Sequence, residues 1–270
     1  MSVLDIDSLM SNQTEDAILV RKFIMNNYWI RSKNELQIYM EDGGYVVDFD
    51  GELRVDNYKL ERLTNDKFRF GKISVFNCSH CDNLTSLEGA PRECKFFNCS
   101  HCYELTSLKG APEKCAEFYC QYCFKLTSIE GSPRNCYAFD CSSCKNLISL
   151  KGAPQDCISF NCSFCINLTS LKGSPRECGK FSCANCKSLT SLEGAPRICR
   201  RMFYCCECKN LTSLKGAPRK CEIFDCNYCD GLISLKGAPR ECKEIHCAYC
   251  ANLTSLEDAP VGCKLLYNSR

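Results

Sequence analysis

The stretch Leu84–Pro91 reads LTSLEGAP, and close variants of it return along most of the chain, ending with LTSLEDAP at Leu253–Pro260. Nine copies occur at a step of 21 residues, except for one step of 22, and they contain all nine prolines of the chain. The copies open at Leu84, Leu105, Leu126, Leu147, Leu168, Leu189, Leu211, Leu232 and Leu253. A fixed period this short, punctuated by Gly and Pro, predicts stacked supersecondary units with a non-helical return path.

The residues between two copies of the phrase identify the unit. From Cys94 the chain reads Cys94-x-x-Phe97-x-Cys99-x-x-Cys102-x-x-Leu105, and corresponding residues recur along the array. With leucine at the first three anchors, this is the leucine-rich-repeat consensus, in which asparagine or cysteine occupies the position of Cys102. Phe97 and Cys99 also alternate with their neighbours at the period of a β-strand.

On these residues, the segment from about Ile73 to Leu266 resembles the cysteine-containing leucine-rich repeats found in open reading frames of tailed phages, large DNA viruses and some bacteria. Such proteins carry a similar LTSLxGAP phrase. The resemblance implies a curved solenoid with a recognition role, and it implies no defined activity.

The predicted fold is therefore a leucine-rich-repeat solenoid over residues 73–270, with a curved parallel β-sheet, an extended or polyproline-like convex side and few helices. Each unit turns two leucines, one phenylalanine and three cysteines inward. Ordering the backbone of one unit costs more free energy than this burial contributes, so we expect stability to come from stacking between neighbours. A short last strand is expected at Cys263–Tyr267.

Residues 1–72 lack the full phrase and predict a small α+β cap that covers the first complete strand. A helix is expected from an N-cap at Thr14 through the stretch AILVRKFIMNNYWI. The other elements expected here are strands at Glu35–Met40, Tyr45–Phe49 and Glu52–Val55, a hairpin turn at Asp50-Gly51, and a degenerate repeat over Leu53–Leu63 that includes Asn57.

The chain has 28 cysteines, which fall into regular sets. Nine C-x-x-C pairs run from Cys78/Cys81 to Cys247/Cys250, and nine further cysteines follow the proline by three residues. The pairs have a spacing that zinc sites use, and neighbouring strands are close enough for disulfides. We favour a third interpretation, a ladder of small buried thiols that donate weakly to backbone carbonyls, because the pairs are odd in number and no unit is distinguished as a partner.

Cys206 belongs to neither set of cysteines. Small or polar residues fill its position in the other units, which predicts that Cys206 is an exposed thiol and the most accessible one. The same unit carries an extra residue within Arg200–Met202, so a local bulge is expected there.

Two columns of variable positions predict a binding surface on the concave strand face. The first is the outward position at the centre of the motif: Asn77, Asn98, Tyr119, Asp140, Asn161, Ser182, Tyr204, Asp225 and His246. The second precedes each second pair cysteine: His80, His101, Tyr122, Ser143, Phe164, Asn185, Glu207, Tyr228 and Tyr249. Exposed aromatics beside acids and amides suit protein binding, although a neutral surface with scattered aromatics is the alternative. The residues expected to bind a partner are Tyr119, Tyr122, Asp140, Phe164, Tyr204, Asp225, Tyr228, His246 and Tyr249.

Composition narrows the function further. A net charge of +2 gives no strong field to attract nucleic acid or a membrane, and no apolar run is long enough to span a bilayer. The first residues lack the features of a secretory signal, so a cytoplasmic location is expected, or the host cytosol for a viral protein. Arginine follows the proline at Arg92, Arg134, Arg176, Arg197, Arg219 and Arg240, but neighbouring acids predict a compensated edge rather than a nucleic-acid track.

No ordered nucleophile, carboxylate pair or histidine set occurs, so we predict no catalytic residues and no enzymatic activity. The leading interpretation is a module that binds another protein, with no cofactor and with neither nucleic acid nor membrane as partner. The alternative is a metal-binding protein that holds zinc or iron–sulfur clusters on its C-x-x-C pairs. The sequence indicates no oligomeric state.

Overall fold

The computed structural model describes residues 15–31, 36–55 and 58–268, so the predicted cap residues Thr14, Glu35 and Asn57 lie outside the described residues. The cap contains helix α1 (Glu15–Asn27) and strands β1 (Tyr28–Arg31), β2 (Gln37–Glu41) and β3 (Gly44–Val55). Ala17, Val20 and Ile24 recur at helical spacing and form the buried face of α1. This amphipathic spacing lets α1 pack against the strands of the cap.

The predicted helix through Ile30 is wrong at its C-terminal end. α1 stops at Asn27, and the next residues form β1, which pairs antiparallel with β3. Tyr28 is buried there, and its hydroxyl donates a hydrogen bond of 2.6 Å to the carbonyl of Leu63. Aromatic and β-branched side chains fit a sheet surface, and pairing with β3 overrides continuation of the helix.

The cap hairpin uses a different Asp-Gly pair from the predicted one. β2 and β3 are joined at Asp42 and Gly43, whose positive φ angles of 49° and 78° match the two-residue turns that connect antiparallel strands. β3 continues through Asp50 and Gly51, where its register against the next strand shifts. The predicted hairpin at Asp50-Gly51 is therefore wrong, because the Asp50 carboxylate accepts a hydrogen bond from Ser74 on that neighbouring strand and the backbone stays extended.

Ten further strands follow, one for each turn of the solenoid. They are β4 (Phe68–Asn77), β5 (Glu93–Asn98), β6 (Lys114–Tyr119), β7 (Asn135–Asp140), β8 (Asp156–Asn161), β9 (Glu177–Ser182), β10 (Ile198–Tyr204), β11 (Lys220–Asp225), β12 (Glu241–His246) and β13 (Lys264–Leu266). From β3 onward each strand pairs in parallel with the next one along the chain. The predicted parallel solenoid and its short last strand are confirmed.

The return segments between strands contain turns and irregular backbone. No helix occurs between β4 and β13 among the described residues. Neighbouring segments still make direct contacts, since the Thr106 amide donates to the Thr85 carbonyl at 3.1 Å and the Leu192 amide donates to the Lys215 carbonyl at 2.9 Å. The cap and the array also share one sheet, and the predicted boundary at residue 72 falls inside β4.

Buried phenylalanine rings form a continuous stack through the core. The stack consists of Phe76, Phe97, Phe118, Phe139, Phe160, Phe181, Phe203 and Phe224, with ring centroids 5.2–5.5 Å apart and planes within 5–11° of parallel. Each aromatic pair adds about 0.5–1.5 kcal/mol beyond the burial of its area. The stack therefore couples neighbouring units from β4 to β11, and Ile245 of β12 pairs with its last member, Phe224. Contacts of this kind let units that cannot fold alone stabilise one another.

The expected bulge is confirmed in β10. Its register shifts between Cys199 and Met202 against β9, and between Ile198 and Met202 against β11. Phe203 regains the regular register, opposite Phe181 and Phe224. The extra residue is thus absorbed before the buried phenylalanine, so the core stack is continuous while Arg200 and Arg201 are exposed.

Candidate functional site

The two variable columns differ in backbone conformation. The first column, from Asn77 to His246, occupies the last residue of each strand from β4 to β12, and its side chains are half-buried. The second column follows the strand in a turn, where each residue has a left-handed backbone with φ between 57° and 61°. We call it the turn column. Its predicted place on the strand is therefore wrong. Each strand ends at the first column, and the turn column lies three residues further along the chain.

Hydrogen bonds between units hold each of these turns. The amide of His101 donates to the carbonyl of Gln121 at 2.8 Å, and the amide of Cys99 donates to the carbonyl of Tyr119 at 2.8 Å. Within the turn, the amide of Ser100 donates to Oδ1 of Asn98 at 2.9 Å. A left-handed conformation costs a residue with a side chain about 1–2 kcal/mol, and these bonds offset that cost.

From the second pair onward, the second cysteine of each pair extends this bonding into the core. The thiol of Cys123 donates to the carbonyl of Cys99 at 3.3 Å, one unit earlier. The same bond, at 3.1–3.3 Å, is made by Cys102, Cys144, Cys165, Cys186, Cys208, Cys229 and Cys250. We call this series the thiol ladder. Cys78, Cys120 and Cys162 are each the first cysteine of a C-x-x-C pair. Burial raises the pKa of their thiols, which keeps them protonated.

The arrangement does not favour the metal alternative. Within the described ranges, no group of three or more His, Cys, Asp or Glu side chains is placed to hold a metal ion. The pair thiols are directed along the array toward carbonyls instead of converging on one point, and all 28 cysteines are unpaired by disulfides.

Cys206, predicted as an exposed thiol, is half-buried in the structure. Its equivalents Ser100 and Ser163 are buried, which means that small residues at this position indicate tight packing between neighbouring turns. Burial, and next the carboxylate of Asp225, raise the pKa of Cys206 to about 12, so little of the nucleophilic thiolate is present at neutral pH. Cys242, Cys250 and Cys263, near the last turns, are half-buried as well.

Three of the predicted binding residues surround one depression on the strand face. Tyr122, Phe164 and Tyr204 line a cavity of about 370 Å³ whose other lining residues include Asn161 and five serines. The serines are Ser142, Ser143, Ser159, Ser163 and Ser182. Tyr122 and Phe164 are 42% and 50% exposed. We call this the central depression. Large side chains border it because the turn column alternates Tyr122, Ser143 and Phe164 in consecutive units, and the first column changes from Ser182 to Tyr204.

The other predicted residues lie on either side of the central depression. Tyr119 packs against Phe96, with ring centroids 5.1 Å apart. Tyr228 and Tyr249 stack at 4.7 Å near the last turns, where the ring of His246 lies 3.3 Å from the carboxylate of Glu244.

Asp140 and Asp225 are engaged in local structure. Oδ1 of each carboxylate accepts a hydrogen bond from the backbone amide two residues later, at 2.8 Å from Ser142 and 3.0 Å from Asn227. Asp140 also accepts a bond of 3.0 Å from the amide group of Asn161. These acids therefore help to shape the turns on which the aromatic side chains are displayed.

The sequence analysis did not predict an aromatic cluster in the first units of the array. Tyr103 and Phe124 stack at 5.2 Å, and Tyr103 packs edge-on against His101. The ammonium of Lys145 lies 4.9 Å from the centre of the Phe124 ring, within the range of a cation–π contact. The signal in the sequence is the position after each second pair cysteine, which holds aromatic residues in two consecutive units.

His80, His101 and Tyr122 form a stack along the turn column. The ring centroids lie 4.4 Å and 4.5 Å apart. Burial, and next the neighbouring ring of His80, lower the pKa of His101. The lowered pKa favours the uncharged form of His101, which lies between His80 and Tyr122 in the stack.

No family model and no curated protein matches this sequence. Among solved structures, a leucine-rich repeat protein from Bacteroides ovatus aligns with 87% of this chain and 90% of its own, at 15% identity and a TM-score of 0.27. The solenoid assignment rests on the strand order and register of this chain itself. The described part of the chain contains no helix with the length and apolar character needed to cross a bilayer.

Proposed function

We propose that this solenoid is a non-enzymatic module that binds another protein through its strand face, centred on the central depression. The observation that carries the proposal is the arrangement of Tyr122, Phe164 and Tyr204 around a floor of small polar residues. Aromatic side chains beside a depression provide large contact areas with few rotatable bonds, which is the composition of binding hot spots.

The structure of the turn column supports the proposal physically. Its backbone is fixed by hydrogen bonds between units, so the aromatic side chains of Tyr122 and Phe164 project from an ordered surface. Binding to an ordered surface loses little backbone entropy. The residues flanking the depression, including Tyr119, Asp140, Asp225, Tyr228, His246 and Tyr249, would contact the periphery of the same partner.

The proposal is tested by affinity capture from lysate of the native host, with the partner identified by mass spectrometry and its affinity measured after purification. The variant Tyr122→Ala/Phe164→Ala should weaken that affinity at least about tenfold, as expected when two hot-spot side chains are truncated. The control is Tyr58→Ala/Tyr267→Ala, which removes two exposed tyrosines that lie outside the strands and do not line the central depression. Equal affinity of both variants for the partner would overturn the proposal.

A further inference from the structure

Four arginines follow the proline in four successive units, at the side of the sheet where the strands begin. They are Arg176, Arg197, Arg219 and Arg240, and we call them the basic edge. The backbone fixes their spacing, because the Arg197 amide donates to the Arg176 carbonyl and the Arg219 amide donates to the Arg197 carbonyl, each at 2.8 Å. All four side chains are exposed. The edge thus carries cationic side chains on adjacent rungs, about 4.8 Å apart.

The acids around the basic edge are paired with other cations. The pairs are Glu177–Arg200 at 3.0 Å, Glu193–Lys215 at 2.6 Å, Glu222–Lys243 at 2.7 Å and Glu241–Lys220 at 3.3 Å. Among the residues that the structure describes, none of the four edge arginines forms an ion pair. In the first units, by contrast, Arg92 lies 3.8 Å from Glu113. The compensation expected from the sequence therefore occurs at Arg92, whereas among the described residues neither Arg134 nor the basic edge forms an ion pair.

A partly apolar groove adjoins the basic edge on the strand face. Its volume is about 1070 Å³, and Tyr137, Ile158 and Gly179 contribute its apolar lining. Tyr137 and Ile158 are 60% and 52% exposed. Glu177, which lines the groove, directly follows Arg176 of the basic edge. A chain lying along the edge could therefore place a side chain into the groove.

The charges that line this groove balance one another. The cations are Lys180, Arg200 and Arg201, and the acids are Glu117, Asp156 and Glu177. Of these acids, Glu177 is paired with Arg200, and Glu117 accepts a hydrogen bond of 2.9 Å from the hydroxyl of Tyr119. The excess positive charge of the region therefore comes from the basic edge itself.

We propose that the basic edge and the adjoining groove bind an extended acidic segment of a partner protein, with carboxylates on the arginines and an apolar side chain in the groove; the inference rests on the proposed protein-binding function. Guanidinium groups match carboxylates in bidentate geometry. The observations favour an acidic peptide over a nucleic acid. A peptide can place an apolar side chain against Tyr137 and Ile158 in the adjoining groove, whereas the repeating phosphates of a nucleic acid backbone carry no such side chain.

The test uses the full chain and a fluorescein-labelled peptide of roughly 10 residues, which is long enough in extended form to span the four rungs. The peptide alternates glutamate with glycine and carries one central leucine. Binding is measured by fluorescence anisotropy at low salt, and the same peptide with glutamine in place of glutamate is the ligand control.

The two protein variants remove the same number of arginines, one pair from the basic edge and one pair from the first part of the chain. Arg197→Gln/Arg219→Gln removes two members of the basic edge, and Arg62→Gln/Arg92→Gln removes the same charge from exposed arginines that lie away from the edge and the groove. We expect the first variant to weaken binding about tenfold or more and the second to change it less than about twofold. All six side chains involved in the edge and its control are exposed, so thermal unfolding should be unaltered.

Three outcomes would overturn the inference. They are absence of peptide binding by the unmodified protein, equal losses in the two arginine variants, and tighter binding of a thymidine oligonucleotide than of the peptide with loss in the Arg197→Gln/Arg219→Gln variant. The last would indicate a nucleic-acid edge. The result is separable from the proposed function, because Tyr122→Ala/Phe164→Ala leaves the basic edge intact and should bind the peptide normally.

Discussion

Two columns of residues in this solenoid share a left-handed backbone but follow opposite sequence rules. The return segments place glycine at φ angles of 88–97° in eight units, from Gly89 to Gly237. The turn column adopts φ angles of 57–61° in nine units and holds nine residues, none of which is glycine. The comparison shows that a positive φ does not by itself require glycine here.

The space around each column explains the difference. A Cβ added to Gly152 would lie 2.6 Å from the Cα of Glu130 in the preceding unit, so the stacking of backbones excludes a side chain. The side chains of Tyr122, Phe164 and Tyr249 instead project outward from the turn. Contact with the neighbouring backbone therefore fixes the glycine column, whereas the turn column is open to variation and able to carry a binding surface.

The largest effect is expected from filling the glycine column. Gly152→Ala should lower the free energy of unfolding by about 3–5 kcal/mol, because backbone strain is added to a clash with the preceding unit. Gly43 is the matched control, since its φ is 78° and nothing lies within 4 Å of a Cβ built there. Gly43→Ala should cost only about 1–2 kcal/mol. Equal costs in urea denaturation would show that φ alone, and not contact, requires glycine.

The thiol ladder should contribute the next largest effect, because it holds the turn column to the core. Cys144→Ala removes a buried sulfur and leaves the Cys120 carbonyl without its thiol donor at 3.2 Å. We expect a loss of about 1–3 kcal/mol in the free energy of unfolding. Cys206→Ala, outside the ladder and half-buried, should cost less than that. Indistinguishable urea midpoints for the two variants would show that the thiol ladder does not contribute specifically to stability.

Substitutions in the turn column should have smaller effects that depend on side-chain shape. Glu207 is exposed and has a φ of 59°. Glu207→Gly should change the free energy of unfolding by less than about 1 kcal/mol, because relief of the left-handed conformation offsets the added entropy of the unfolded chain. Glu207→Val should lower it by about 1–2 kcal/mol, since a β-branched residue tolerates this conformation poorly. Thermal unfolding should give a higher midpoint for Glu207→Gly than for Glu207→Val. A higher midpoint for the valine variant would contradict this explanation.

The smallest effect concerns the histidine stack of the turn column. The folded-state pKa of His101 is lowered, so protons bind more readily to the unfolded chain, whose histidines titrate near about pH 6.5. This contribution to stability is therefore complete above that pH and is lost as the pH falls below it. His101→Gln should reduce the decline in the urea midpoint between about pH 7 and pH 5. A decline identical to that of the unmodified protein would assign the pH dependence to other groups.

The repeat architecture could be predicted from the sequence because every unit has the same spacing of buried residues. The spacing of Phe97, Cys99 and Cys102 repeats through the array, and the strands lie where that spacing predicts. The cap was harder, because Tyr28 and the Asp50-Gly51 pair each fit two local structures. Tyr28 lies in a strand because β1 pairs with β3. Asp50 lies in extended backbone, where a turn was predicted, and accepts a hydrogen bond from Ser74.

The candidate site was only partly predictable, for a different reason. The sequence identified which positions vary, including those of Tyr122, Phe164 and Tyr204. It did not show that the turn column leaves the strand, nor that these three side chains surround one depression. Those facts depend on how successive units align in space, which no single repeat encodes.

The sequence by itself determined the period, the parallel order of the strands and the identity of the core. These follow from one pattern of buried residues, repeated until neighbouring units can bury one another's apolar faces. Only the tertiary structure decided which left-handed positions must be glycine, which thiols donate to which carbonyls and which arginines lack a carboxylate partner among the described residues. Each of these depends on distances between residues about 20 positions apart in the chain, and stacking of the units sets those distances.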